Sequence, residues 1–157
     1  MGGARILVIG YGNPLRGDDG AGFEAAERLR GTIADPDVEV LAVHQLMPEL
    51  MEPASAARRV IFIDAATGSE PGEIRERPVE ATAPSNASFT HHLTPESLLA
   101  GARALYGRAP EAWLISIVGA DFSCTMELSE TVRKRIDTLI AAVERRAKSV
   151  ILMPDSE

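Results

Sequence analysis

Three short runs of apolar residues, rich in branched side chains, constrain this chain more than any other feature: residues 5–10 (RILVIG), 60–63 (VIFI) and 113–118 (WLISIV). Each is too short for a buried helix, and none alternates regularly between apolar and polar residues. Each therefore reads as a strand covered on both faces. Such strands belong to parallel sheets, and successive parallel strands need a crossover connection, usually a helix, between them.

The intervening segments supply the helices. From Ala21 the spacing turns helical, with Phe23, Ala26 and Leu29 on one face and Glu24, Glu27 and Arg28 elsewhere. Before it lies YGNPLRGDDG (residues 11–20), whose density of Gly, Pro, Asn and Asp marks a loop. Asp18 or Asp19 is expected to cap the helix, since a carboxylate accepts the orphan N–H groups of a first turn. Residues 38–43 read as a second strand, and 48–57 as a short helix opened by Pro48. Residues 73–79 alternate charged and apolar positions like a half-exposed edge strand, and 82–90 are polar. Thr94 opens a helix carrying Leu98, Leu99, Ala102 and Leu105. Ser129 caps a final helix reaching about Lys148, with Val132, Ile136, Leu139, Ile140 and Val143 along its stripe, and the tail from Met153 is expected to fray. The expected fold is α/β: a three-layer sandwich whose mostly parallel, twisted sheet of about five strands carries helices on both faces. A length of 157 residues without repeat or linker fits one domain over 1–157.

Charge and cysteine content narrow the function classes. A net charge of -7 disfavours sequence-independent nucleic-acid binding, which needs a basic surface. The single cysteine, Cys124, cannot form an internal disulfide or a thiolate zinc site, and is expected as a small loop or core residue. Any metal must be held by His, Asp and Glu, and the histidines number three: His44, His91 and His92. No apolar run approaches the ~18 residues that span a bilayer. The N-terminus lacks a signal peptide's apolar core and has Ile6 where myristoylation wants Ser or Thr. A cytoplasmic location with no membrane insertion is expected.

In open α/β sheets, ligands bind outside the carboxyl ends of the strands, where the strand order reverses. Polar residues gather at those ends: Asp18 and Asp19 after the first strand, Asp64 after the third, His91 and His92 before the third helix. A strand order beginning 2-1-3 would bring Asp19 and Asp64 to one crevice within one metal's reach, with a later histidine completing the set. Two readings of each residue stay open. Asp19 is a ligand or a first-turn acid favoured by the helix dipole. Asp64 is a ligand or a strand-end turn former. His91 and His92 are ligands or exposed loop residues. His44 follows a strand end with no second ligand beside it.

Nucleotide binding is poorly supported. Gly10-Tyr11-Gly12-Asn13-Pro14-Leu15 starts like a dinucleotide fingerprint but has Leu15 where the third glycine belongs, and no acidic residue ends the second strand. Ser116 lies outside any Gly-x-Ser-x-Gly elbow.

The stretch ILVIGYGNPLRGDDGAG (residues 6–22) resembles the opening of the [NiFe]-hydrogenase maturation endopeptidases. QLMPEL (45–50), VIFIDA (60–65) and THHLTPESLL (90–99) resemble further segments of that family in the same order, and GADFSCTMEL (119–128) fits more loosely. The resemblance implies an endopeptidase, aspartic-type or metal-dependent, that removes a C-terminal peptide from a hydrogenase large-subunit precursor once nickel is in place. It implies Asp19, Asp64 and His91 as metal-binding and catalytic residues, with His92 standing where the family commonly has Gly. The implied cofactor is nickel carried by the precursor, with zinc or another divalent metal in a resting preparation. Two carboxylates and an imidazole suit such metals and leave positions open for the substrate or a water. Asn13 and the loop glycines are expected to shape the crevice or to offer N–H groups to an oxyanion. The competing expectation is a non-enzymatic, nickel-dependent assembly chaperone for the same precursor, against which stands the absence of a His-rich tract.

Overall fold

The computed structural model describes residues 5–82 and 93–151. The expectations placed on His91, His92, most of the polar stretch 82–90 and the tail from Met153 lie outside the described residues.

Five strands, β1 (Ile6–Tyr11), β2 (Val38–Val43), β3 (Arg59–Ala66), β4 (Ile74–Val79) and β5 (Glu111–Val118), form one sheet in the order β2-β1-β3-β5-β4. All neighbours are parallel except β4, which runs antiparallel along β5 at the edge. Its middle, Arg75 to Pro78, is exposed, as the charged alternation implied, and Pro78 is tolerable there because an edge strand has a free side. The helices are α1 (Ala21–Thr32), α2 (Met51–Ala56), α3 (Pro95–Tyr106), α4 (Glu130–Arg133) and α5 (Ile136–Ile151).

Alternation along the buried strands builds two cores. Ile6 and Val8 of β1, Ile61 and Ile63 of β3, and Ile115 and Ile117 of β5 face α1 and α5, meeting Ala25, Leu29, Leu139 and Val143. Leu7, Ile9, Val60 and Phe62 face the other way, onto Leu50, Ala54, Leu98 and Leu99 around α2 and α3. Fully burying side chains of this size stabilises by about 1.5–3 kcal/mol each, which fixes the register, since a one-residue slip would exchange the two faces. The three-layer expectation holds.

Local details differ from the sequence reading. The segment from Pro48 begins as a 3-10 turn (Pro48–Leu50) before α2. The last helix is interrupted after α4, where the Arg135 N–H bonds the Val132 carbonyl instead of a carbonyl four residues back. Thr94 caps α3 as expected, exchanging hydrogen bonds with Ser97. Cys124 is exposed, outside either core.

Candidate active site

The strand order reverses between β1 and β3, so the crevice above their carboxyl ends is where the topology can seat a ligand. Two glycines let the chain close over it. Gly22, in the first turn of α1, lies against the backbone carbonyls of Ile63 and Tyr11, where a Cβ would collide. Gly12 has φ +149° and packs against the Asp19 carbonyl, a position no side chain can share. Together they press the 3-10 turn Gly17–Gly20 onto the ends of the two strands.

That turn carries Asp18 and Asp19, and the structure separates their roles. Neither caps α1, whose N-cap is Gly20 without a side-chain bond. Asp18 is fully buried and turns toward the loop after β5. Its Oδ2 accepts the N–H groups of Ala120 (2.7 Å) and Asp121 (3.0 Å), and its Oδ1 accepts that of Ser129 (2.8 Å). The capping expectation fails because three backbone donors converge on Asp18 from a loop a hundred residues away. Asp19 remains half-buried at the crevice, with its Oδ2 accepting the Asn13 N–H at 2.9 Å. That N–H, like the Gly12 N–H bonded to the Val43 carbonyl, already has an acceptor.

Asp64 sits inside β3, two residues before its end, beside Ser116 of β5. Its Oδ1 accepts the Ala65 N–H at 2.7 Å. Burial pushes its pKa up to about 6, and the charge of Asp19 adds to that rise. Hydrogen bonds from the Tyr11 hydroxyl and the Ala65 N–H work in the opposite direction. The charge of Asp19 thus reaches Asp64, and Asp64 is costly to ionise unless a cation compensates its charge. Tyr11 was not singled out from the sequence. Its phenol is held far above its usual range by burial and then by the Asp64 charge. A sequence signal existed: Tyr11 continues the face of Leu7 and Ile9, and Asp64 that of Val60 and Phe62 on the neighbouring strand.

Among the described residues no three His, Cys, Asp or Glu side chains form a metal-holding group. His44 stacks tilted against Phe23, with ring centroids 5.1 Å apart. The donors Asp19 and Asp64 are carboxylate oxygens, the type that divalent cations take, and the raised pKa of Asp64 marks a carboxylate short of positive charge. Among the described residues no helix is long and apolar enough to cross a membrane.

Comparison with known proteins gives a consistent result. The sequence model of the HycI-type hydrogenase maturation proteases matches residues 23–146. A Methanocaldococcus jannaschii protein named as a hydrogenase maturation protease is 30% identical over 148 residues, spanning 88% of this chain and 93% of that one. The hydrogenase maturation protease HycI from Thermococcus kodakarensis superimposes with a TM-score of 0.70 at 28% identity, covering 90% of this chain and 91% of its own. The hydrogenase maturating endopeptidase HybD from E. coli shares the fold at a TM-score of 0.77 and 22% identity, covering 93% of each chain. The chain belongs to the hydrogenase maturation protease family, and is by that membership a peptidase.

Proposed function

We propose that this protein removes a C-terminal peptide from the nickel-loaded precursor of a [NiFe]-hydrogenase large subunit, and that Asp19, Asp64 and His91 bind the nickel that the precursor brings. The observation that carries the reading is the coupling of Asp19 and Asp64 at the strand switch point, with Asp64 raised to about 6. A carboxylate so placed gains from an arriving cation what burial took from it. Asp19, Asp64 and His91 would hold the nickel, which would supply Lewis-acid chemistry to the scissile carbonyl or to an attacking water. The chain's own residues orient the site: the Asn13 N–H holds Asp19, while Tyr11 and the Ala65 N–H hold Asp64.

A polypeptide substrate also suits the surroundings. Leu15, Met47 and Met126 are exposed apolar side chains on the loops after β1, β2 and β5, at the carboxyl edge of the sheet. They offer contacts to a protein surface that a small hydrophilic ligand would not use.

The test is the intact mass of a nickel-loaded large-subunit precursor before and after incubation with this protein. One mass loss matching a C-terminal peptide, absent without nickel and absent with Asp64→Ala, supports the reading. Cleavage that persists with nickel-free precursor and chelator would assign the work to Asp19 and Asp64 as an acid–base pair. An unchanged mass with stable co-elution would instead make the protein an assembly chaperone.

A further inference from the structure

Asp64 on β3 is in register with Ser116 on β5, and Ser116 in turn with Arg75 on β4, so the three stand in one row across the sheet. Alternation puts that row on a single face. Ile63 and Ala65 flank Asp64, Ile115 and Ile117 flank Ser116, and Ile74 precedes Arg75, and all five pack with the core around α1 and α5. Asp64, Ser116 and Arg75 therefore point the other way, toward the side of α2 and α3. Neighbouring strands lie about 4.8 Å apart, which sets Ser116 beside Asp64 at the carboxyl end of the sheet.

The members of the row are not equally engaged. Asp64 Oδ1 accepts the Ala65 N–H, and Arg75 pairs with Glu73 at 3.0 Å. Ser116 is 7% exposed, and its hydroxyl has no hydrogen-bond partner among the described residues. Among those residues no side-chain oxygen or nitrogen sealed from solvent goes unpaired, so the little surface that Ser116 keeps includes its Oγ. A buried hydroxyl without a partner opposes folding, so its place here calls for a ligand that completes it. The backbone donors nearby are already taken: the N–H groups of Gly12, Asn13 and Ala65 bond the Val43 carbonyl, Asp19 and Asp64.

We infer that Ser116 is a substrate-contacting residue: its hydroxyl donates to the carbonyl oxygen of the scissile peptide bond when the precursor is seated at Asp64. This rests on the proposed cleavage at Asp19 and Asp64, and adds a donor to it. The hydroxyl forms no covalent bond and keeps its proton. Among the described residues no group accepts a hydrogen bond from Oγ, so none is set to take that proton as a nucleophilic serine requires. As the carbonyl carbon becomes tetrahedral and its oxygen gathers negative charge, the hydrogen bond from Ser116 strengthens. A contact of that kind acts on kcat and leaves KM nearly untouched.

Ser116→Ala deletes the donor, and Ser116→Thr keeps it on a side chain suited to a strand. Each full-length variant is compared with wild type for steady-state processing of nickel-loaded precursor, read by mass, and for melting without metal. Ser116→Ala should lower kcat roughly 100-fold at nearly constant KM, and Ser116→Thr should recover most of that loss. Metal-free Ser116→Ala should melt at or above the wild-type temperature, because no hydrogen bond within the protein is lost. A kcat within about twofold of wild type in Ser116→Ala overturns the inference and leaves the cleavage reading standing. A raised KM at unchanged kcat also overturns it, since the contact would then be made equally before and during the reaction. So does a Ser116→Ala protein that melts well below wild type, which would give the hydroxyl a structural role. Wild-type protein that cleaves no nickel-loaded precursor defeats the cleavage reading itself, and this role falls with it.

Discussion

The Asp18 carboxylate accepts the Ser129 N–H at 2.8 Å across 111 positions of chain, so the loop bearing the candidate site and the cap of α4 are one hydrogen-bonded unit. The neighbouring Asp19 makes no such tie and remains at the crevice. Two adjacent aspartates should therefore fail in different ways. Asp18→Ala deprives three backbone N–H groups of their buried acceptor and is expected to cost about 3–4 kcal/mol, lowering the melting temperature by roughly 10 °C. Asp19→Ala should melt within a few degrees of wild type and lose precursor processing. Thermal melts beside mass-spectrometric processing assays separate the two, and equal melting temperatures would refute the division.

Asp64 gives the chain a pH signature. Its pKa in the fold is about 6, above the ordinary carboxylate value, so the folded state binds its proton more tightly than the unfolded one. Its contribution favours folding below about pH 4 and is lost as the pH rises through about 6. That rise above the ordinary carboxylate value corresponds to about 3 kcal/mol. In chelator-treated protein, Asp64→Asn should be the more stable at pH 8, and its advantage should shrink toward pH 4. Divalent-metal affinity should rise over the same window as the proton leaves. Parallel melting curves of the two proteins from pH 4 to 8 would contradict this origin of the shift.

His91 is the proposed third ligand. His91→Ala should reduce processing by more than the roughly 100-fold that loss of an outer partner costs, while His92→Ala should retain most of it. The reverse order in a single-turnover assay would move the assignment to His92.

The exposed apolar side chains at the carboxyl edge should act on binding. Met126→Glu, at a side chain 78% exposed, is expected to raise KM for the precursor about five- to tenfold with kcat nearly unchanged. Leu15→Glu should behave alike. A fall in kcat at constant KM would instead place these residues in the chemistry.

Much of the architecture was legible from local pattern. The runs ILVIG (6–10) and VIFI lie within β1 and β3, and WLISIV fills the last six positions of β5, because continuous apolar stretches of that length have few other ways to be buried. The caps at Thr94 and Ser129 were readable because a helix start is decided by a few adjacent residues. Asp19 and Asp64 were legible as candidates because topology predicts where strand ends converge. Tyr11 and the true partners of Asp18 were not, since both depend on which side chains meet across different strands and loops.

The sequence by itself determined the α/β class and the family, since short-range apolar periodicity and contiguous motifs encode both, while the strand order β2-β1-β3-β5-β4 came from the tertiary structure. Only the tertiary structure decided which acid of the Asp18–Asp19 pair is buried as a tether and which one faces the crevice. A carboxylate's role follows from the donors and charges packed around it. For Asp18 those donors come from Ala120, Asp121 and Ser129, and the burial that raises Asp64 comes from the strands and helices packed around it. None of these neighbours is fixed until the sheet and its crossings have formed.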